Sequence, residues 1–368
     1  MKCATHCLPN TLIRDLAIDA KGGARFFGVM NFFSDTTAPA HPKLIEALAA
    51  ANAGYAASYG ADDVSARVET RLKDIFETDL KVLFAVSGTA SNALALSVLC
   101  PPHGAILCHD EAHIHRDERG APEFYTNGGK LIPLQGAHAK IDYSDLDRVL
   151  NEIPEGFVHT NPVRVLSLSN LSESGSAYTP GEVAERAERL KDRPAFLHMD
   201  GARFSNALVT LGCTPAQLTW KSGIDALCFG ATKNGALGAE AVILFPSVMD
   251  RFEELQARQK RGGHMAPKMR FMAAQFDAWL DDDLWLALAG KANAQATALA
   301  TGLADIVGID VLHPVDGNEV FARIPDEIAT RMRQAGAGFY QWPDGSARFV
   351  TSWTTQADDV ESVLKSAQ

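Results

Sequence analysis

The chain has 368 residues, 46% hydrophobic and 21% charged, a mixture too apolar for intrinsic disorder and long enough to bury a large core without disulfides or structural metal. Its 34 Lys and Arg against 45 Asp and Glu leave a net charge of −11, which argues against nucleic acid and anionic membrane surfaces as partners, since both demand a basic face. A small anionic ligand stays open because a few local cations can hold it; no apolar run nears the ~20 residues of a membrane span, and the N-terminal MKCATHCLPNTLIRDL lacks the apolar core of a secretory leader, so a cytoplasmic protein is expected.

Residues 1–30 show no clear periodicity and are expected as a loose arm. From Asp35 onward, short apolar runs alternate with amphipathic stretches. Residues 81–86 (KVLFAV) read as a buried strand, 88–99 as a helix, and 104–108 and 163–168 as further strands. The stretch 180–191 reads as a helix with Pro180 in its first turn, where a missing N–H costs nothing. Strands are expected at 195–199, 226–229 and 241–245. Near-continuous apolar strands separated by helices indicate a mostly parallel sheet covered on both faces. The texture changes after Asp283. A long alanine-rich helix (284–304) leads into alternating short elements at 319–324, 326–334, 348–352 and 358–366. The expected organisation is therefore α/β, with a large domain over 31–283 and a small C-terminal α+β domain over 284–368. The six cysteines (Cys3, Cys7, Cys100, Cys108, Cys213, Cys228) form no CxxC pair, and several lie in apolar runs, so they read as reduced, buried thiols.

Three motifs could carry chemistry. Ser87-Gly88-Thr89-Ala90-Ser91-Asn92 joins a strand to a helix; small residues allow close backbone approach, and a helix N-terminus offers free N–H groups to a phosphate. The plain alternative is a turn capped by Ser87 or Thr89. His198-Met199-Asp200-Gly201-Ala202-Arg203 ends a strand, the edge at which parallel sheets bind ligands; the alternative is a helix cap. In Cys228-Phe229-Gly230-Ala231-Thr232-Lys233-Asn234-Gly235, a lysine sits in a small-residue turn after an apolar strand; the alternative is a solvated loop lysine. Neither a dinucleotide fingerprint nor a Walker loop is present. Pyridoxal phosphate unites the three, because it needs a phosphate cradle, an acid opposite its ring nitrogen and a lysine for its aldehyde. His113 and His115 follow strand 104–108, where an imidazole could stack on the pyridine ring, and His115 reads better as a packed or surface residue. Arg348 is a single cation in an apolar strand, suited to a bidentate clamp on a carboxylate.

With Ser34-Asp35-Thr36, Tyr59-Gly60-Ala61-Asp62, Ala112-His113 and Ala347-Arg348-Phe349 added, the chain from about Phe33 to Trp353 resembles the low-specificity L-threonine aldolases, in the β-eliminating-lyase group of fold-type I pyridoxal-phosphate enzymes. Residues 218–223 (LTWKSG) and Lys268-Met269-Arg270-Phe271 fit a bacterial branch. The resemblance implies an aspartate-aminotransferase-like fold. It implies Lys233 as the Schiff-base lysine, Asp200 against the ring nitrogen and Arg203 near the ring hydroxyl. Ser87, Gly88 and Thr89 would hold the phosphate, His113 would stack on the ring, and Ser34 and Arg348 would bind the substrate carboxylate. Tyr59 would reach toward a site at a subunit interface, and Lys260 or Lys268 would supply a phosphate cation from a neighbour, although the family's glycine-rich segment is altered here to Arg261-Gly262-Gly263-His264. Such enzymes are typically homotetramers with shared active sites. No metal is implied.

One departure concerns the base. Many members carry a histidine in an Asn-Thr-His-Asn motif, where this chain reads Asn170-Leu171-Ser172-Glu173-Ser174. Proton acceptance then falls first to His113 through a water, and second to Glu173. The expected reaction is retro-aldol cleavage of a β-hydroxy-α-amino acid to glycine and an aldehyde. Phenylserine aldolase and β-eliminating lyase are the alternatives on the same fold. A non-catalytic ligand-binding protein is disfavoured by the intact lysine, acid and arginine.

Overall fold

Seven short runs rich in apolar and β-branched residues pair into one sheet in the computed structural model, which describes residues 30–368. The expected arm, with Cys3 and Cys7, lies outside the described residues apart from Met30. The strands are β1 (Lys81–Ala85), β2 (Ala105–His109), β3 (Lys130–Leu134), β4 (Val163–Ser169), β5 (Phe196–Gly201), β6 (Ala226–Gly230) and β7 (Glu240–Leu244). Their spatial order is β1-β7-β6-β5-β4-β2-β3. Only β7 runs against the others, antiparallel to both β1 and β6, while the pairs from β6 to β3 are parallel. The carboxyl ends of β1, β2, β4, β5 and β6 therefore open onto one edge.

Continuous apolar strands reflect burial on both faces. In β6, Leu227 and Phe229 join one hydrophobic cluster, whereas Ala226 and Cys228 join the cluster on the opposite face, as the two-residue strand period requires. Phe229 is the hub of the first cluster, with ring centroids 5.2 Å from Trp279, 5.6 Å from Trp285 and 6.0 Å from Phe76. The second face packs the helix Gly88–Leu99, which is buried along its whole length from Ala90. The four described cysteines are free, and burial pushes the thiols of Cys108 and Cys228 well above the usual range.

Strand β3 was not expected. Its sequence KLIPL carries an exposed Lys130 and Pro133, tolerated because β3 is an edge strand, where a missing N–H leaves no ladder bond unmade. Strand β5 extends to Gly201, so Asp200 belongs to the strand and not to the loop beyond it.

A second, antiparallel sheet combines β8 (Asp310–Val311), β9 (Glu319–Arg323), β10 (Tyr340–Gln341) and β11 (Ser346–Val350) in the order β10-β11-β9-β8. Its core takes in Leu299, Leu303, Val320, Met332 and Phe349. Phe32 also packs there, because Met30–Asn31 pairs with Ala337–Gly338. The helix Leu284–Ala304 spans both cores, with Trp285 and Leu288 in the first and Ala296 and Leu299 in the second. Among the described residues no helix is long and apolar enough to cross a membrane.

Candidate active site

At the end of β1, the chain turns into the helix Gly88–Leu99. Ser87 is its N-cap, accepting a hydrogen bond from Ala90 N at 3.2 Å. A Cβ on Gly88 would meet nothing within 4 Å, so its backbone borders open space. The cap and the open helix end therefore coexist, and neither sequence reading of this turn displaces the other.

Behind this turn lies a hydrogen-bonded chain of buried polar groups. Asn92 is the one carboxamide in a helix otherwise of small and apolar residues and is 1% exposed. Its Nδ2 donates to Asp200 Oδ2 at 2.7 Å and to Glu118 Oε1 at 2.9 Å. Glu118 Oε1 also pairs with His113 Nδ1 at 2.8 Å. One side-chain nitrogen or oxygen atom from each of His113, Glu118 and Asp200 lies within 4.8 Å of the other two. Burial alone would raise the Asp200 carboxyl, but the neighbouring His113 and Lys233 charges and the Asn92 bond outweigh it and hold Asp200 below the usual range. Glu118 is different: burial keeps its carboxyl above the usual range. Burial depresses His113, yet Glu118 and Asp200 together leave it raised. The Ser87–Asn92 motif contains Asn92 but gives it no role, and nothing in the sequence marks Glu118. The available signal was a lone amide among the small and apolar residues of GTASNALALSVL.

Lys233 occupies the short turn between β6 and the antiparallel β7. Its charge acts on Asp35, His113, Asp200 and Glu240, yet among the described residues no acid lies within 4 Å of its amine. Glu240, opposite Gly230 in the ladder, is 6% exposed and pushed up to about 7 by burial. Glu173 follows β4, and its Oε1 accepts from Ser169 Oγ at 2.6 Å and from the His113 backbone N–H at 2.9 Å. Its Oε2 is buried without a partner among the described residues, and burial pushes the carboxyl up to about 7. His198, beneath the site, is fully buried between Ser167 and Cys228, and burial pushes it down to about 4. Its place is in the core.

Arg203 is engaged by acids. Its Nε and Nη2 donate to Asp35 at 2.8 and 3.1 Å, and Nη1 lies 3.4 Å from Glu319. Asn318 Nδ2 also donates to Asp35, at 3.0 Å. Burial would raise the Asp35 carboxyl, but Arg203 and Lys233 hold it below the usual range. This buried group joins β5 and the start of β9 to the turn carrying Ser34. Arg348 on β11 donates to Phe33 O at 3.3 Å and lies 5.1 Å from the Tyr340 ring. Its Nε is buried without a partner among the described residues. Arg348 thus lies against the backbone of the residue just before Ser34. His115 instead faces Asp110 at 3.7 Å. Tyr59 is 44% exposed, with the Lys260 amine 4.5 Å from its ring centroid in the same chain; Lys268 is exposed.

The edge suits pyridoxal phosphate on three observations: open backbone at the helix start, a buried carboxylate kept ionised, and an amine free of acid pairing among the described residues. Sheet order and edge chemistry together define a fold-type I pyridoxal-phosphate enzyme. The profile of the β-eliminating lyases matches residues 31–327, and the chain belongs to that family. It is 40% identical over 335 residues to the low specificity L-threonine aldolase of Pseudomonas aeruginosa, covering 91% of this chain and 96% of that one. A second relative of the same description, from another Pseudomonas, is 39% identical over 341 residues, covering 90% and 97%. Among solved structures, a threonine aldolase of Leishmania major superposes with a TM-score of 0.85 at 26% identity, over 92% of this chain and 98% of that one.

Proposed function

We propose that this chain cleaves L-threonine, L-allo-threonine and related β-hydroxy-α-amino acids to glycine and an aldehyde, as a cytoplasmic homotetramer with active sites shared between subunits. The observation that carries the reading is the placement of His113 just after β2, Asp200 near the end of β5 and Lys233 in the turn after β6, all at one sheet edge, with side-chain polar atoms of His113 and Asp200 within 4.8 Å. Ser87, Gly88, Thr89, Asp200, Arg203, His113 and Lys233 would hold the cofactor. Bound pyridoxal phosphate supplies an electron sink for the pair released when a bond at the substrate Cα breaks. Asp200, kept charged, favours the protonated ring nitrogen.

Arg348 and Ser34 take the substrate carboxylate and thereby choose which bond at Cα is broken. The Nε of Arg348, without a partner among the described residues, supports this, since a carboxylate would satisfy it. His113, acting through a water, takes the β-hydroxyl proton, and Glu173 is the alternative acceptor. Exposed Tyr55, Tyr59, Phe124 and Leu237 support association with further copies, for which Tyr59, Lys260 and Lys268 are the expected contributors.

The test uses the purified protein, which should be yellow and should release glycine and acetaldehyde from threonine. Lys233→Ala should lose both the absorbance and the turnover. A colourless protein that takes up no cofactor overturns the reading. Pyruvate and ammonia from a β-substituted amino acid, without glycine, would move the assignment to a β-eliminating lyase.

A further inference from the structure

We propose that Glu118 is a positioning residue, which fixes His113 in the Nδ1–H form and leaves Nε2 as its one basic nitrogen. The inference rests on the reading of His113 as the base, and it begins with a hydrogen count. Asn92 reaches two carboxylates, at 2.7 and 2.9 Å, so its amide nitrogen must face them, since the oxygen would set acceptor against acceptor. Both amide hydrogens are then consumed, and Asn92 Oδ1 is left without a partner among the described residues. Glu118 Oε1 receives one of these hydrogens and also lies 2.8 Å from His113 Nδ1. With Glu118 ionised, that oxygen accepts from both neighbours, and Nδ1 then carries a hydrogen whether the imidazole is neutral or charged. A neutral His113 therefore keeps its lone pair on Nε2, as a second partner of an imidazole dictates elsewhere.

The arrangement does more than select a tautomer. Glu118 is 3% exposed and Asp200 8%, so Asn92 ties the acid assigned to the ring nitrogen to the acid behind the base. A gain of positive charge on His113 is felt by both. The charged and titratable groups facing His113 come from four elements. Glu118 follows the short helix His113–Arg116, Asp200 is the last residue but one of β5, Lys233 sits in the turn after β6, and Glu173 accepts the His113 backbone N–H from the loop after β4. Of these, only Glu118 touches the ring nitrogen. The His113 side chain remains 41% exposed, which leaves Nε2 accessible to reagent.

The experiment measures His113 directly. Diethyl pyrocarbonate acylates the unprotonated imidazole, and peptide mass spectrometry reads each histidine separately. The rate at His113 is followed from pH 5 to 8 in the holoenzyme, and again after cofactor removal, for wild type, Glu118→Gln and Glu118→Asp. The glutamine keeps an acceptor oxygen but deletes the charge. The His113 midpoint should fall by about one pH unit or more in Glu118→Gln, with the other histidines unmoved, and Glu118→Asp should recover most of that shift. The acid limb of kcat/KM for threonine should move in parallel with little change in KM. A His113 midpoint in Glu118→Gln within about 0.3 pH unit of wild type overturns the proposal, because a role confined to packing predicts that result. An absence of glycine production in wild type, with the midpoint shift intact, would instead sink the proposed function and leave the pairing standing.

Discussion

Glu173→Gln isolates the cost of burying one carboxylate. Burial moves the Glu173 carboxyl from an ordinary 4.5 up to about 7. At 1.36 kcal/mol per pH unit, this sets roughly 3 kcal/mol against the ionised form. Between those two values the folded chain holds a proton that the unfolded chain has released. Wild-type stability therefore falls as pH rises through the window and levels above about 7. Glutamine can leave its carbonyl on Ser169 and the His113 N–H, the contacts made by Oε1, and place its amide where Oε2 now stands. It does not titrate. Urea unfolding of the two proteins at pH 5 and pH 8 should show the glutamine variant gaining on wild type by up to ~3 kcal/mol at the higher pH. A difference between the proteins that is equal at both pH values would refute the reasoning. Glu240, also pushed up to about 7, contributes a similar slope that persists in the variant. With His113 as the base, Glu173→Gln should keep kcat/KM within about tenfold, whereas a loss of 10²–10⁴ would transfer that role to Glu173.

Asp35→Asn leaves Arg203 without its bidentate acid in a buried setting and should cost about 3–5 kcal/mol in chemical denaturation. Phe229→Ala empties the hub of the aromatic core, where Phe229 is fully buried, and should cost about 3–5 kcal/mol by the same measurement. Arg348→Lys substitutes a point charge for a planar fork, and KM for threonine should rise by roughly 10–100-fold with a smaller change in kcat, read from steady-state kinetics.

Much of the site could be read along the chain because its parts are local. A buried strand followed by small residues and a helix places Ser87–Thr89, and the same grammar places Asp200 and Lys233 at strand ends. The residues that connect these parts are different. Asn92 meets Asp200 across 108 positions, Arg203 meets Asp35 across 168, and Asn318 meets Asp35 across 283. No periodicity signals such pairs, since each partner is an ordinary polar residue in its own neighbourhood. Strand β3 escaped for a related reason: at the sheet edge it is half solvated, and its exposed lysine and proline give it the composition of a loop.

By itself, the sequence determined the α/β class, the strands that lie buried on both faces, and the three motifs that call for pyridoxal phosphate, because each depends on the burial or turn chemistry of neighbouring residues. The tertiary structure alone decided the strand order, the reversal of β7 beyond Lys233, the meeting of Arg348 with the Ser34 turn, and the chain of bonds from Asp200 through Asn92 and Glu118 to His113. Those features arise where distant segments are packed together and water is excluded. Only there does a carboxylate's ionisation depend on residues a hundred positions away.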